Sequence, residues 1–390
     1  MSDHSLRELA ALFLRLGTTA FGGPAAHIAM MEDEVVRRRQ WMTHQEFLDL
    51  LGATNLIPGP NSTEMAIHIG YRRGGWMGLA IAGACFIVPA AVLVGCLAWA
   101  YTRYGRLPQA AALLYGVKPV VLAIVVQAMW RLARTAVKNL PLGVMGAAAL
   151  ALAVGGVGEL VILGAAGTLM GFVGWVRSGS GRGRIAVLVL VCIALSIVAA
   201  EFLPASLYTG PSPAMTPATI FLYFAKIGSV LYGSGYVLLA FLQTDLVAHW
   251  HWLTAHQLLD AVAAGQVTPG PLFSTATFIG YLLAGPAGAI CATLGIFLPA
   301  FLFCAMSGPL VPRIRRSVVA GSFLDGVNVA SLALMGGVIW ALARAAVVDV
   351  PAGALAAISA VVLFRYRVNS GWFVLAGAMA GLLLRWQTLP

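Results

Sequence analysis

The sequence predicts an all-α, multi-span membrane fold built from two copies of one unit, and three observations lead there. The chain of 390 residues is 60% hydrophobic and only 10% charged, with a mean hydropathy of +0.88. A soluble domain of that length has too little interior to hide so much apolar surface. Uncharged runs on the scale of a bilayer recur at 76–102, 142–158, 185–200 and 282–310. They are continuous rather than alternating, which excludes a β-barrel. Finally, the chain repeats itself over nearly its whole length.

With an offset of 211, Trp41, Thr43, Leu48, Asp49, Ala53 and Pro58-Gly59-Pro60 fall on Trp252, Thr254, Leu259, Asp260, Ala264 and Pro269-Gly270-Pro271. Beyond the tripeptide the offset is 210: Gly70-Tyr71, Pro89, Gly116, Trp130 and Pro141 meet Gly280-Tyr281, Pro299, Gly326, Trp340 and Pro351. Such internal periods govern the architecture and are read first. Each half divides into six apolar segments, at 8–30, 46–70, 75–101, 109–131, 140–157 and 158–176, then at 217–243, 255–282, 285–310, 318–343, 351–364 and 370–386. One unmatched segment, 184–203, joins them. The expected organisation is therefore an N-terminal repeat (1–178), a linker carrying one transmembrane helix (179–215) and a C-terminal repeat (216–390). Six is even, so the connector turns the second half over, giving an inverted repeat about an axis in the membrane plane. With the N-terminus inside, basic residues fall on inner loops roughly twice as often as on outer ones, as orientation requires. Arg37-Arg38-Arg39 runs against that count, and the first two segments of each half are alternatively re-entrant. Asp3 and Glu8 near the start, with no small-residue cleavage site, argue against a cleaved signal peptide.

Each tripeptide sits inside an apolar segment. Proline lacks an N–H and clashes with the preceding turn, so no continuous helix passes through. Within a bilayer such a break survives only where protein or a water-filled cavity meets the freed backbone groups. Pro60 is also suited to start a new helix. The amides of Asn61, Ser62 and Thr63 would then be free donors at the positive end of a helix dipole, an anion cradle. Paired interruptions at matching places in two halves are the sequence mark of a transporter's binding site. The first segment of each half is broken too, at Phe21-Gly22-Gly23-Pro24 and Tyr232-Gly233-Ser234-Gly235. Four broken helices would enclose one polar pocket.

The candidate ligand groups follow from that picture: Gly22, Gly23, Pro58, Gly59, Pro60, Asn61, Ser62 and Thr63, and in the second half Gly233, Gly235, Pro269, Gly270, Pro271, Ser274 and Thr275. Arg15 and Lys226 are repeat-related cations, each two turns before its glycine break, and Lys118 lies inside a span opposite Asn328. A cation in a bilayer helix costs roughly 2.5–3.5 kcal/mol on insertion scales, so it needs a reason: a site, an ion pair, or snorkelling to the interface. Glu64 and His68 share one helical face and, with Asp325, are candidates for coupling to protons. The five cysteines lie in apolar runs without metal-ligand spacing, and His249 and His251 lack a third ligand, so no metal or other cofactor is expected. His27 reads as structural. The last two segments of each half carry no polar cluster and read as scaffold, their small residues suited to close packing.

Taken together, the runs Phe21-Gly22-Gly23-Pro24-Ala25-Ala26-His27, Phe47-Leu48-Asp49, Pro58-Gly59-Pro60-Asn61-Ser62-Thr63, Gly70-Tyr71-Arg72-Arg73-Gly74-Gly75, Thr268-Pro269-Gly270-Pro271, Thr277-Phe278-Ile279-Gly280-Tyr281 and Phe323-Leu324-Asp325-Gly326-Val327-Asn328 resemble the motifs of the chromate ion transporter family. The resemblance implies the long, two-domain form, which exports chromate from the bacterial cytoplasm across the inner membrane using the proton gradient. Sulfate, a tetrahedral dianion of similar size, is the alternative substrate. Expected partners are the oxyanion, protons and the bilayer, with a homodimer open and no nucleic acid, since the net charge of +10 reflects basic loops. A rival from another class is an intramembrane lipid-diphosphate phosphatase, but Ser62 has no adjacent Arg and the second tripeptide is followed by Leu272-Phe273. A passive channel is disfavoured by the unequal halves.

Overall fold

The computed structural model describes residues 3–20, 23–54, 57–105, 107–155, 157–178, 214–231, 237–307, 318–366 and 370–385. The expected connecting helix at 184–203 and the glycines Gly22, Gly233 and Gly235 lie outside the described residues. Those that are described form helices and no strands. In the first half these are α1 (Asp3–Thr19), α2 (Gly23–Glu32, continued by wider turns over Asp33–Arg38), α3 (His44–Thr54), α4 (Asn61–Tyr104), α5 (Pro108–Ala136), α6 (Leu140–Val154) and α7 (Glu159–Ser178). In the second they are α8 (Pro217–Val230), α9 (Leu238–Phe241, continued by wider turns over Leu242–His249), α10 (Ala255–Val267), α11 (Thr275–Ser307, preceded by a tight turn Leu272–Ser274), α12 (Val318–Ala346), α13 (Val350–Arg365) and α14 (Ser370–Leu384). Four stretches among the described residues are long and apolar enough to cross a membrane: Asn61–Tyr104, Pro108–Ala136, Leu272–Met306 and Val318–Ala346. With the shorter apolar helices around them, they make this a multi-pass membrane protein.

The repeat is visible in local chemistry. α3 and α10 begin at matching places with the same device. The Thr43 N–H donates to Glu46 Oε2 (2.7 Å) while the Glu46 N–H donates to Thr43 Oγ1 (3.2 Å). Thr254 and Gln257 exchange the equivalent bonds at 2.9 and 3.2 Å. These reciprocal caps satisfy two orphan amides at once. Asn139 and Asp349 likewise cap α6 and α13, accepting from Leu142 N (3.1 Å) and Ala352 N (2.9 Å) ahead of a proline in the first turn. α4 and α11 each fold back on themselves. The turn is Gly74-Gly75 in one and Ala284-Gly285 in the other, with Gly75 at φ 56° and Gly285 at φ 59°. Past the turn, the Gly70 backbone lies against the Gly78 carbonyl and that of Gly280 against the Gly288 carbonyl. Each is thus a short arm (61–73, 275–283) beside a long one.

The halves do not pack as separate units. α6 and α7 of the first half lie on α12 of the second, and α13 and α14 of the second lie on α5 of the first. The long arms of α4 and α11 also meet, while α1 rests on α4 and α8 on α11. The main buried cluster accordingly mixes Val94, Val121 and Leu163 with Phe224, Ile296 and Met335. Without a hydrophobic drive between helices in lipid, close approach of small residues takes its place. Gly116 of α5 packs backbone-to-backbone on Gly377 and Gly381 of α14, and Gly326 of α12 packs on the Ala166 carbonyl of α7.

This packing makes a prediction. A side chain at Gly116 would overlap the Gly377 carbonyl, so Gly116→Val should cost about 1–3 kcal/mol through overpacking and lower both yield and melting temperature in detergent. Gly337→Ala, with nothing within 4 Å of the new methyl, should hold or raise the melting temperature, as Ala exceeds Gly by roughly 1 kcal/mol in a helix.

Candidate functional site

Both tripeptides break their helices. Gly59 sits at φ 137° and Gly270 at φ 93°, conformations open to glycine alone at little cost. A break leaves amides and carbonyls without helical partners, and here the two halves supply them to each other. The Gly59 N–H donates to the Leu231 carbonyl at 2.8 Å, and the Gly270 N–H donates to the Ala20 carbonyl at 3.0 Å. Ala20 and Leu231 are repeat mates at the ends of α1 and α8, so each tripeptide closes onto the interrupted first segment of the opposite half. Added methyls extend the symmetry: one on Gly59 would lie 3.5 Å from Ala300 Cβ, one on Gly270 2.8 Å from Ala90 Cβ. Each tripeptide is therefore brought to the end of the first helix of the opposite half. Gly23, at φ 80°, opens α2 just beyond the first break.

Pro60 and Pro271 each precede a new helical turn, as expected. The expected row of free amides needs correction. The Thr63 N–H donates to the Pro60 carbonyl at 2.8 Å, and Ser274 N–H does the same to Pro271 at 3.0 Å. Tight turns at the helix starts consume these donors, because proline leaves its own carbonyl pointing at them. What each cradle presents instead is a hydroxyl. Thr63 Oγ1 and Ser274 Oγ, each three residues past the last proline of its tripeptide, are both buried and have no hydrogen-bond partner among the described residues. Leaving a buried donor unmet costs roughly 1–3 kcal/mol, so two at symmetric points mark a place built for something else. Thr275 differs: its hydroxyl donates to the Leu272 carbonyl at 2.8 Å.

One turn on, the halves diverge. Glu64 is fully buried, its carboxylate against Gly59, and neither oxygen has a hydrogen-bond partner among the described residues; the same holds for His68 Nε2. His27, read as structural from sequence, joins the site. Its Nε2 lies 3.0 Å from the Ala20 carbonyl and its Nδ1 3.3 Å from Ser62 Oγ. A carbonyl only accepts, so Nε2 carries the proton and, in the neutral ring, Ser62 donates to Nδ1. His27 thus ties the first break to the start of α4. Its repeat position is Leu238, which is why the repeat gave no signal for it.

Each of the three candidate cations has an acid beside it. Arg15 pairs with Glu34 at 2.6 Å, half-exposed on a cavity of about 420 Å³. Lys226 acts on Asp245, the repeat mate of Glu34. Lys118 pairs with Asp260 at 3.3 Å, and Tyr101 donates to the other Asp260 oxygen at 2.9 Å. Asp325 pairs with Lys138 at 2.7 Å where both are partly exposed, and Asn328 is half-buried two residues beyond Gly326 on α12. Glu34, Asp245 and Asp260 were not singled out from sequence. The offset of 211 that relates Arg15 to Lys226 also relates Glu34 to Asp245, so the signal was present.

A family model described as chromate transporter matches residues 7–172 and 218–382. The chain is 33% identical over 386 residues to a chromate transport protein of Cupriavidus metallidurans, covering 96% of this chain and 92% of that one. It is 30% identical to a probable chromate transport protein of Synechococcus elongatus (89% and 87% covered). It is 29% identical to a chromate transport protein of Pseudomonas aeruginosa (97% and 92% covered). These relatives are named as transport proteins rather than enzymes. No solved structure matches the chain.

Because neither orphan hydroxyl has a protein partner, Thr63→Val and Ser274→Ala should leave the melting temperature in detergent level or slightly raised. Gly59→Ala, strained at φ 137° and driven into the Glu64 carboxylate, should lower it by several degrees.

Proposed function

This chain belongs to the chromate transporter family, and we propose that it exports chromate across the bacterial inner membrane, driven by the proton gradient. The route is alternating access around one site near the midplane, where the four breaks meet. The two repeats, 1–178 and 216–390 with 179–215 between them, would be related as an inverted pair, with rocking of one against the other opening the site to each side in turn.

The single observation that carries this reading is the reciprocal closure of the tripeptides onto the opposite half, with an unpartnered buried hydroxyl beside each. A dianion leaving water for a low-dielectric interior forfeits tens of kcal/mol unless charges and donors replace its hydration. The hydroxyls of Thr63 and Ser274, with the positive helix end behind Thr63, are such replacements. Arg15, Lys226 and Lys118 supply countercharge within the same bundle. Glu64 and His68, on the face that runs from the break, are the groups that can take up and release a proton there. Since their repeat positions hold no acid or base, proton movement would use one half only. Sulfate shares the charge and shape that these donors read, and it is the alternative cargo.

Everted membrane vesicles test this. They should accumulate chromate when energised, lose that uptake with a protonophore, and show sulfate as a competitor; uptake that persists without a proton gradient removes the coupling. The Thr63→Val/Ser274→Ala double variant should lower uptake by at least ~10-fold, the scale of one or two lost hydrogen bonds to a charged ligand, at unchanged protein level.

A further inference from the structure

A second cavity, of about 660 Å³, opens at the end of the bundle where the 104–108, 249–255 and 346–350 connections gather. Lys118 and Asp260 line its inner part, and His256, Tyr115 and Arg385 are nearer the helix ends. We propose that this cavity is an outer oxyanion subsite, in which Lys118 is the contact for the anion and Asp260 is a built-in competitor for the same charge. The proposal deepens the transport reading above but is tested by binding alone.

Lys118 stands ten residues into α5, roughly 15 Å from its start. Its side chain is 17% exposed and that of Asp260 3%. Removing both charges from water costs more than a plain pair returns, so such a pair is weak evidence of a stabilising role. The geometry is that of an exchangeable partner. The contact is long, at 3.3 Å, and made by one oxygen, while Tyr101 anchors the other oxygen at 2.9 Å. Lysine is a compact charge on a flexible stem and re-partners easily, unlike the two-pronged grip of arginine. Asp349, which lies behind the lining residues Tyr115 and Arg385, is already committed. It accepts from Tyr115 at 2.6 Å and from the Ala352 amide at 2.9 Å, with Arg385 at 3.7 Å. An entering dianion therefore meets Lys118 with only Asp260 to displace.

Two further features give that exchange a consequence. Asp260 rides on α10, which ends just before Pro269-Gly270-Pro271, nine residues or roughly 14 Å away. Releasing Asp260 from Lys118 frees the helix that carries the second break. In addition, the repeat mate of Lys118 is Asn328, so the capture point has no cationic twin and the two ends of the path are unequal.

The test uses full-length protein in detergent with Ala111→Cys, on the cavity wall two turns before Lys118, reacted with a maleimide. Sulfate is the probe, because chromate oxidises thiols, and sodium chloride at equal ionic strength is the control. Sulfate should slow labelling at this cysteine. Adding Lys118→Met should abolish the protection. Adding Asp260→Asn should lower the half-protecting sulfate concentration by at least ~5-fold, since the competing charge is gone. Tyr101→Phe, which only loosens Asp260, should move it the same way by less, and serves if Asp260→Asn fails to fold. No protection beyond the chloride control, protection that survives Lys118→Met, or weaker sulfate binding in both Asp260→Asn and Tyr101→Phe would each overturn the subsite. Protection without chromate flux in vesicles would sink the transport reading and leave the subsite standing; flux without protection does the reverse.

Discussion

A helix that breaks where no water reaches must find partners for its exposed amides and carbonyls, and the rest of this structure answers to that requirement. The Gly59 amide finds the Leu231 carbonyl and the Gly270 amide finds the Ala20 carbonyl. Neither half can satisfy its own break. The exchange joins each tripeptide to the end of the first helix of the opposite half, and the interleaved scaffold is consistent with it. α6 and α7 cover α12, and α13 and α14 cover α5, so the halves are held in the register that these bonds need.

Once the backbone is satisfied, what remains unsatisfied becomes informative. Thr63 and Ser274 keep their hydroxyls buried and unclaimed at equivalent points, while neighbouring Thr275 folds its own back to the Leu272 carbonyl. The cations follow the opposite logic. Arg15, Lys226 and Lys118 each have an acid within reach, which offsets part of the cost of a charge in an apolar surrounding. In the proposed site the orphaned hydroxyls would meet an anion at once, whereas the paired charges would first have to be released.

The departures from symmetry lie among the ionisable groups. His27 bridges Ala20 and Ser62, but Leu238 stands at its repeat position. Glu64 and His68 have no titratable mates, and Lys118 is matched by Asn328. Backbone and packing obey the repeat while the ionisable groups do not. In the transport cycle proposed above, such unequal charges would give the two states different affinities for protons and anions.

Much of this was legible in the residues themselves. Hydropathy over long runs fixes the membrane class, because burial of apolar surface depends on composition more than on partners. The offset of 211 marks the repeat, and proline chemistry marks the breaks, since a missing N–H interrupts a helix in any surroundings. The partners were not legible. Nothing local says that Gly59 will meet Leu231, 172 positions away, or that Lys118 will face Asp260, because those contacts exist only once helices from both halves are packed. The expected free amide at Thr63 was misjudged for the same reason: whether an amide turns back to a proline carbonyl or stays free is decided by the curvature of the turn. Sequence by itself determined where the helices break and which groups are charged; tertiary packing decided what each broken end and each charge would face, because in an apolar medium every polar group is claimed by whichever partner the fold brings within reach.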